Sequence, residues 1–309
     1  MNQPTLLQQW SQERSALAAA LAPRTVTVAP ASHRSSSGRS LSGMRWRGPF
    51  IVTAAEALAG SDDARVAWDG GETRAPLVAC DLATDVAVLR IAGAAQPEGV
   101  AIAADAGLEA GAGVVIVGRA RRGPLVAFGT VRTAGPAWAS RRGGAIAQRL
   151  EFEASLDARF EGALVADLAG APRAMLVPGP RASLLGIPAA TIERIVAAVE
   201  QHGYLPRPYL GLRLQSLWLD EATRERWGRS ARTVAAVAGV EAQSPAEVSG
   251  LAPGDLLEAI DGSAVDDVEA FAALVAQSNP GQLLALRLRR GGQQQTVEIK
   301  VAEWRQPPR

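Results

Sequence analysis

A mostly β chain, built as a double β-barrel followed by a small α+β domain, is what this sequence predicts, and three observations carry the expectation. From about residue 25 to 188 short β runs are broken by Gly, Pro and Asp at even spacing, with no clear helix between them, the pattern of a closed all-β architecture. Beyond residue 209 the pattern changes, and strand-like runs surround one clear helix. The length, 309 residues, exceeds one ordinary domain and suits two or three cores.

The elements follow in order. Leu6, Trp10, Leu17 and Leu21 recur at helical spacing over residues 4–22, and Pro23 stops the helix. We therefore assign residues 1–24 to an N-terminal helix. The Ser/Gly-rich stretch 31–43 reads as a loop entering a strand. Strands are expected at 25–28, 50–53, 65–68, 86–91, 113–117, 125–131, 149–154, 163–165, 174–177 and 184–187, enough for two small barrels with a seam near 93–108. A helix over 191–202 carries Ile192, Ile195, Val196 and Val199 on one face, and Gly203 ends it. The barrels thus occupy 25–203. Pro206 and Pro208 stiffen a linker at 204–208. The last domain, 209–304, has strand-like runs at 210–214, 233–237, 255–260, 283–288 and 295–301. Its helix starts at Asp266, with Glu269 three residues on as in a capping box, and an apolar stripe of Val268, Phe271, Leu274 and Val275.

Composition excludes several classes. Lys plus Arg (32) nearly balances Asp plus Glu (31), and a net charge of +1 gives no electrostatic case for nucleic acid. The short clusters Arg119 with Arg121 and Arg122, Arg141 with Arg142, and Arg289 with Arg290 read as solvated turn ends. A single cysteine, Cys80, rules out an internal disulfide and reads as a small buried hydrophobe in the run 77–80. With only His33 and His202 besides, a zinc site of usual spacing is not available, and no cofactor is expected. No run approaches the roughly 18 apolar residues of a membrane span. Glu13 and Arg14 precede only a short Ala/Leu stretch, 16–22, where an export signal has a basic start and a longer apolar core. Taken as written, the sequence points to the cytoplasm, with the periplasm as the alternative.

Motifs then identify a family. Tyr209-Leu210-Gly211-Leu212, Ser244-Pro245-Ala246, Gly250-Leu251, Gly254-Asp255-Leu256-Leu257 and Asp261-Gly262 stand in the order of an HtrA-type PDZ domain, the first as its carboxylate-binding loop. Upstream, the run 50–58 is similar to the "IVTxxHV" segment that carries a catalytic histidine. The run 81–91 is similar to "D…TDLALLK", whose second acid orients that histidine, and Gly129-Thr130-Val131 to a "GxVS" turn. The run 156–166 falls on "INPGNSGGPLV". Over about 280 residues the chain resembles the bacterial HtrA/Deg type: a chymotrypsin/trypsin-like double β-barrel followed by a PDZ domain.

The resemblance implies a serine endopeptidase, but the residues at its site have changed. Glu56 stands where the histidine belongs, Asp85 keeps the orienting acid, and a gapless match puts Glu161 on the serine (a one-residue slip puts Phe160 there). Arg159 takes the position of an oxyanion-hole glycine. A carboxylate at its usual pKa cannot alternate between accepting and donating a proton near neutral pH as imidazole does, and it is a poor nucleophile toward a peptide carbonyl. Ser155, Ser183, His33 and His202 lack the setting to substitute. The expected function is a non-catalytic pseudoprotease that binds peptides or protein C-termini. The alternative is an active HtrA-type endopeptidase in protein quality control. If Glu56, Asp85 and Glu161 converge, one of them must take a proton, pair with a cation or turn outward. Arg159 is the nearest counter-charge, and Ca²⁺ the sharper alternative. In the PDZ-like domain the resemblance puts a terminal carboxylate on Tyr209, Leu210, Gly211 and Leu212 and an apolar last side chain in a pocket of Leu210, Leu212, Phe271, Leu274 and Val275. Core filling is the competing reading for Leu274. Relatives of this type also suggest a homotrimer.

Overall fold

The computed structural model describes residues 5–30, 40–93, 99, 107–140 and 142–303. The chain divides into two compact units, one of residues 1–138 and 146–205, the other of 206–309 with the short segment 139–145.

The first unit opens with α1 (Leu6–Leu21), capped by Thr5. The Thr5 hydroxyl accepts from the Gln8 N–H, and the Gln8 carboxamide accepts from the Thr5 N–H. Ala18 and Leu21 are buried, whereas Leu6 and Trp10 are exposed, so the apolar stripe is covered only toward the C-terminal end.

Strands β1 (Thr25–Pro30), β2 (Leu41–Arg45), β3 (Phe50–Thr53), β4 (Asp63–Trp68), β5 (Gly71–Asp81) and β6 (Val86–Arg90) close a barrel in the order β1-β2-β3-β6-β5-β4. The next strands are β7 (Gly113–Ala120) and β8 (Gly123–Gly135), then the short pair β9 (Trp138–Ala139) and β10 (Ala145–Ile146). After these come β11 (Arg149–Glu153), β12 (Leu164–Asp167), β13 (Pro172–Pro178) and β14 (Leu184–Pro188). A second barrel closes in the order β11-β14-β13-β12-β7-β8, and α2 (Ala189–His202) follows it.

Alternation along each strand explains why these runs read as continuously apolar. In β6, Ala87 and Leu89 face the interior of the first barrel with Val28 and Ile51. Val86 and Val88 face the opposite way, into a core shared with Val52, Val115, Val117, Ile192 and Val196. In β7, Val114 and Ile116 fill the second barrel with Leu150, Phe152 and Val165. Both faces of these strands are buried, so no polar face marks the period of two.

Two strands of the first barrel fall outside the runs expected from the sequence, although a strand was expected to follow the Ser/Gly loop. β2 lies at the end of the Ser/Gly stretch read as a loop, and β5 begins in the polar run Gly71-Glu72-Thr73-Arg74. Cys80, in β5, is half-buried, with its thiol 3.8 Å from the Ala55 carbonyl oxygen. The expected seam falls largely outside the described residues.

The second unit contains β15 (Pro208–Tyr209), β16 (Leu212–Trp218), α3 (Glu221–Trp227), β17 (Thr233–Val240), α4 (Pro245–Val248) and β18 (Leu256–Ile260). It continues with β19 (Ser263–Ala264), α5 (Val268–Ala276), β20 (Leu283–Arg290), β21 (Gln293–Lys300) and β22 (Ala302–Glu303). The main sheet runs β16-β17-β18-β20-β21, and β15 pairs with β22. Here alternation is legible: Leu284, Leu286 and Leu288 are buried, Leu283, Ala285 and Arg287 exposed. The helix cap lies one residue later than expected. Asp267, not Asp266, accepts the Ala270 N–H at 2.7 Å, and Asp266 pairs with Arg229.

Several arginines expected at solvated turn ends are structural instead. Arg119 is only 4% exposed, pairs with Asp69 and donates to the carbonyls of Thr25 and Ala22. Arg290 forms a bidentate pair with buried Asp255 at 2.7 and 2.8 Å, which holds that carboxyl below the usual range despite its burial. Arg289 pairs with buried Glu258. Short runs of two arginines disguised these roles, because planar guanidinium forks are the side chains best suited to partly buried ion pairs. Arg121, Arg122 and Arg142 are exposed, and Arg141 lies outside the described residues.

Candidate functional site

The first candidate site lies where β3, the β5–β6 turn and the turn before β12 meet. Glu56 opens a short 3₁₀ turn, Glu56–Leu58, directly after β3, and is exposed. Asp85 occupies the β5–β6 turn in the left-handed region, φ 58°. Its Oδ1 accepts the N–H groups of Ala55 at 2.8 Å and Glu56 at 2.9 Å, which ties it to the start of the Glu56 turn. Glu161 is 7% exposed and follows a second 3₁₀ turn, Ala158–Phe160.

Both glutamates act on Asp85. Burial pushes the Asp85 carboxyl up to about 6; the two backbone donors oppose that, and charge repulsion from Glu56 and then Glu161 adds to it. Among the described residues no group of His, Cys, Asp and Glu is placed to hold a metal ion.

Arg159 does not serve as their counter-charge. Its guanidinium is exposed and pairs with Asp157, Nη2 to Oδ2 at 2.6 Å. Sequence proximity pointed to Glu161, but Glu161 turns inward after the 3₁₀ turn while Arg159 stays on its outer side. The backbone of this turn is also committed. Asp157 caps it, accepting the Arg159 N–H at 2.9 Å, and the Glu161 N–H donates to the Ala158 carbonyl at 3.4 Å.

A serine beneath the turn fixes its position. The Ser42 N–H donates to the Glu161 carbonyl at 2.9 Å, and its hydroxyl donates to the Arg159 carbonyl at 2.7 Å and accepts the Arg119 N–H at 3.0 Å. Thr53 Oγ1 donates to the Ser42 carbonyl at 2.7 Å. Gly162 makes this approach feasible: at φ +82° an added Cβ would lie 2.2 Å from the Ser42 carbonyl oxygen. Sequence reading missed Ser42 and Thr53: Leu41 and Met44 are three apart and enter different cores, so no period of two marks the strand around Ser42. Ser183, by contrast, donates to the Pro180 carbonyl inside its own turn, Ser155 and His202 are exposed, and His33 lies outside the described residues.

The second candidate site lies in the other unit, on the open edge of the main sheet. β16 has β17 on one side only. Leu212 stands opposite Val240 while Glu241 N–H donates to the Gly211 carbonyl, so Leu212 occupies a non-hydrogen-bonded pair and its own N–H and C=O point to the free edge. Leu214 stands opposite Val237, whose N–H and C=O are both bonded toward Asp255 and Gly254, so Leu214 also presents its backbone outward.

The loop before β16 completes the arrangement. The carbonyls of Leu210 and Gly211 accept from Ala246 and Glu241, and among the described residues neither N–H of Leu210 or Gly211 donates to another backbone group. Tyr209 donates its hydroxyl to Glu241, which pushes its pKa up to about 12. Leu210 and Phe271 are each 4% exposed and belong to the core, while Leu212, Leu214, Val268, Leu274 and Val275 are half-buried against it. Of the expected pocket residues, Leu210 and Phe271 form the floor, and Leu212, Leu274 and Val275 retain accessible surface.

Gly211 is the most constrained residue of the loop. At φ +78° an added Cβ would lie 2.1 Å from Ser244 Cβ and 2.5 Å from its Oγ. Gly211→Ala is expected to destabilise this unit by about 1–3 kcal/mol in urea unfolding, since an unfavourable φ and a backbone shift are both required. A variant as stable as wild type would contradict the tight approach of loop and α4 cap.

Comparison with known proteins agrees with both halves. Residues 41–175 match the trypsin-like peptidase domain and residues 208–301 the PDZ domain. A periplasmic serine endoprotease DegP-like of Rhizobium meliloti is 32% identical over 107 residues, 35% of this chain and 21% of that protein. The serine protease HhoA of Synechocystis is 28% identical over 111 residues, 34% of this chain and 28% of that protein. The chain therefore matches less than a third of the length of these relatives. Among solved structures, the HtrA-type protease AlgW with decapeptide superposes at TM-score 0.70 with 24% identity, covering 96% of this chain and 99% of that one. The serine endoprotease from Yersinia pestis gives 0.69 with 22% identity, covering 98% and 100%. These structural likenesses show the fold.

Proposed function

We propose, from the premise that the chain belongs to the HtrA/Deg family of trypsin-like peptidase domains followed by PDZ domains, that it is a non-catalytic member which binds peptides or protein C-termini. The observation that carries the first half is the turn Ala158–Phe160 with Glu161. Acyl transfer needs a nucleophile, a base and free donors for the oxyanion. Here carboxylates occupy the positions matched to nucleophile and base, and the N–H groups of Arg159 and Glu161 are spent on Asp157 and Ala158. Loss of the nucleophile or base alone removes nearly all of the rate in such sites.

The second half rests on the open edge of β16. An extended peptide adds there as a strand, bonding to the backbone of Leu212 and Leu214, with its terminal carboxylate at the amides of Leu210 and Gly211. Its last side chain, apolar, lies against Leu212, Leu274 and Val275. The similar AlgW structures with decapeptide and tripeptide support peptide as the ligand class.

A serine endopeptidase is the second reading, favoured by the names of the relatives. A fluorophosphonate probe separates the two, because it labels only an activated serine. We expect no labelling of the wild type, nor of Glu161→Ser, whose oxyanion donors remain committed. Stoichiometric labelling of the wild type would establish the second reading.

The compartment we assign is the periplasm, since relatives matched here carry that word in their names; the cytoplasm suggested by residues 1–22 has no such support. No described helix is long and apolar enough to cross a membrane. We also propose a homotrimer from the resemblance, which sedimentation tests; Ca²⁺ at Glu56, Asp85 and Glu161 is not proposed, since among the described residues no such group is placed to hold a metal ion.

A further inference from the structure

We infer that the peptide groove extends beyond its carboxylate end to Trp218, which selects a large apolar side chain six residues before the ligand's C-terminus. The inference rests on the peptide-binding reading of β16. From Leu214 onward the register with β17 is unbroken: Leu214 faces Val237, Ser216 faces Ala235, and Trp218 faces Thr233. Alternation therefore puts Leu214, Ser216 and Trp218 on one face, the face that Val237 and Ala235 bury in the core under α5.

That face changes character along the strand. Leu212 and Leu214 are half-buried, whereas Ser216 and Trp218 are exposed, Trp218 to 76%. The helix covering the groove is shorter than the strand: nine residues of α5 span about 13 Å at about 1.5 Å each, while the six steps from Leu212 to Trp218 span about 20 Å at about 3.4 Å each. Trp218 thus stands on the groove face past the reach of the half-buried floor. Among the described residues its ring stacks on no aromatic or cationic side chain.

The direction of the ligand follows from the loop. A carboxylate held at Leu210 and Gly211 precedes Leu212, so the peptide runs antiparallel to β16, with its last residue beside Leu212. Counting back in pairs, the third residue from the end lies beside Leu214, the fifth beside Ser216 and the seventh beside Trp218. Directly opposed residues share a face, so the side chain six before the terminus meets the indole. An exposed indole offers a large, rigid apolar contact, the type of residue on which binding energy concentrates. The occupant is therefore an extended peptide of at least seven residues with a free C-terminus and a large aliphatic or aromatic side chain at its seventh position from the end.

The test uses the full chain as bait for a displayed library of random ten-residue C-terminal peptides. We expect enrichment of apolar residues at the last position and of large apolar residues six before it. The second enrichment should vanish with Trp218→Ala and persist with Trp218→Phe. A selected decapeptide, titrated by calorimetry, should bind wild type about tenfold more tightly than its last four residues alone, and Trp218→Ala about equally to both. Selection at the last position with a flat profile six before it overturns the inference and leaves the groove intact. No selection at the last position overturns the groove reading itself, and the inference with it.

Discussion

Asp85→Asn is expected to raise the stability of the chain at pH 8 by about 2–3 kcal/mol and to flatten its pH dependence between about pH 4 and 6.5. The sign follows from the direction of the shift. Asp85 has a folded pKa of about 6 against an ordinary 3.8, so the folded state holds its proton more tightly than the unfolded chain. Its contribution to stability is full below about 3.8 and is lost as pH rises through 6. Two pH units correspond to roughly 3 kcal/mol. Asparagine carries no charge to bury or to be repelled by Glu56 and Glu161. It also keeps an oxygen for the N–H groups of Ala55 and Glu56, and it tolerates the left-handed conformation at φ 58°. Urea unfolding from pH 4 to 8 measures the effect. A destabilised variant at pH 8 would mean that the carboxylate is stabilised by its surroundings and the cluster is not under charge strain.

Amidation of a bound peptide's C-terminus is expected to weaken binding by at least about tenfold. The loop places two backbone N–H groups at the start of the open edge, and charge-assisted hydrogen bonds contribute about twice as much as neutral ones. Calorimetry with one selected peptide as free acid and as amide reads this directly. Equal affinity would move the ligand away from the loop and leave β16 as a generic edge.

The architecture was legible because strand runs and the α2 and α5 periodicities are local signals. β2 was less so, because its pairing partners, not its own composition, make it a strand: Ser42 meets the turn at Gly162, and Gly43 is crowded by the Val26 and Val28 side chains and the Val52 carbonyl. α3 escaped for a related reason; its start rests on the side chain of Asp220 accepting from Thr223 and its end on Gly228, with no apolar stripe to announce it. At the candidate site the positions of Glu56, Asp85 and Glu161 could be read from motifs. The partner of Arg159 could not, since a bidentate pair with Asp157 competes with any pair to Glu161 and only the turn geometry decides between them. For the candidate groove, the sequence listed the residues but not their depth, which depends on packing: Phe271 and Leu210 sank into the core while Leu274 and Val275 did not.

The most direct test of the central claim is hydrolysis of denatured casein by the purified full chain from pH 5 to 9, with and without Ca²⁺, beside Glu161→Ala. Neither protein is expected to cleave casein in any condition. Cleavage by the wild type that disappears in Glu161→Ala would contradict that claim and assign chemistry to the carboxylate cluster.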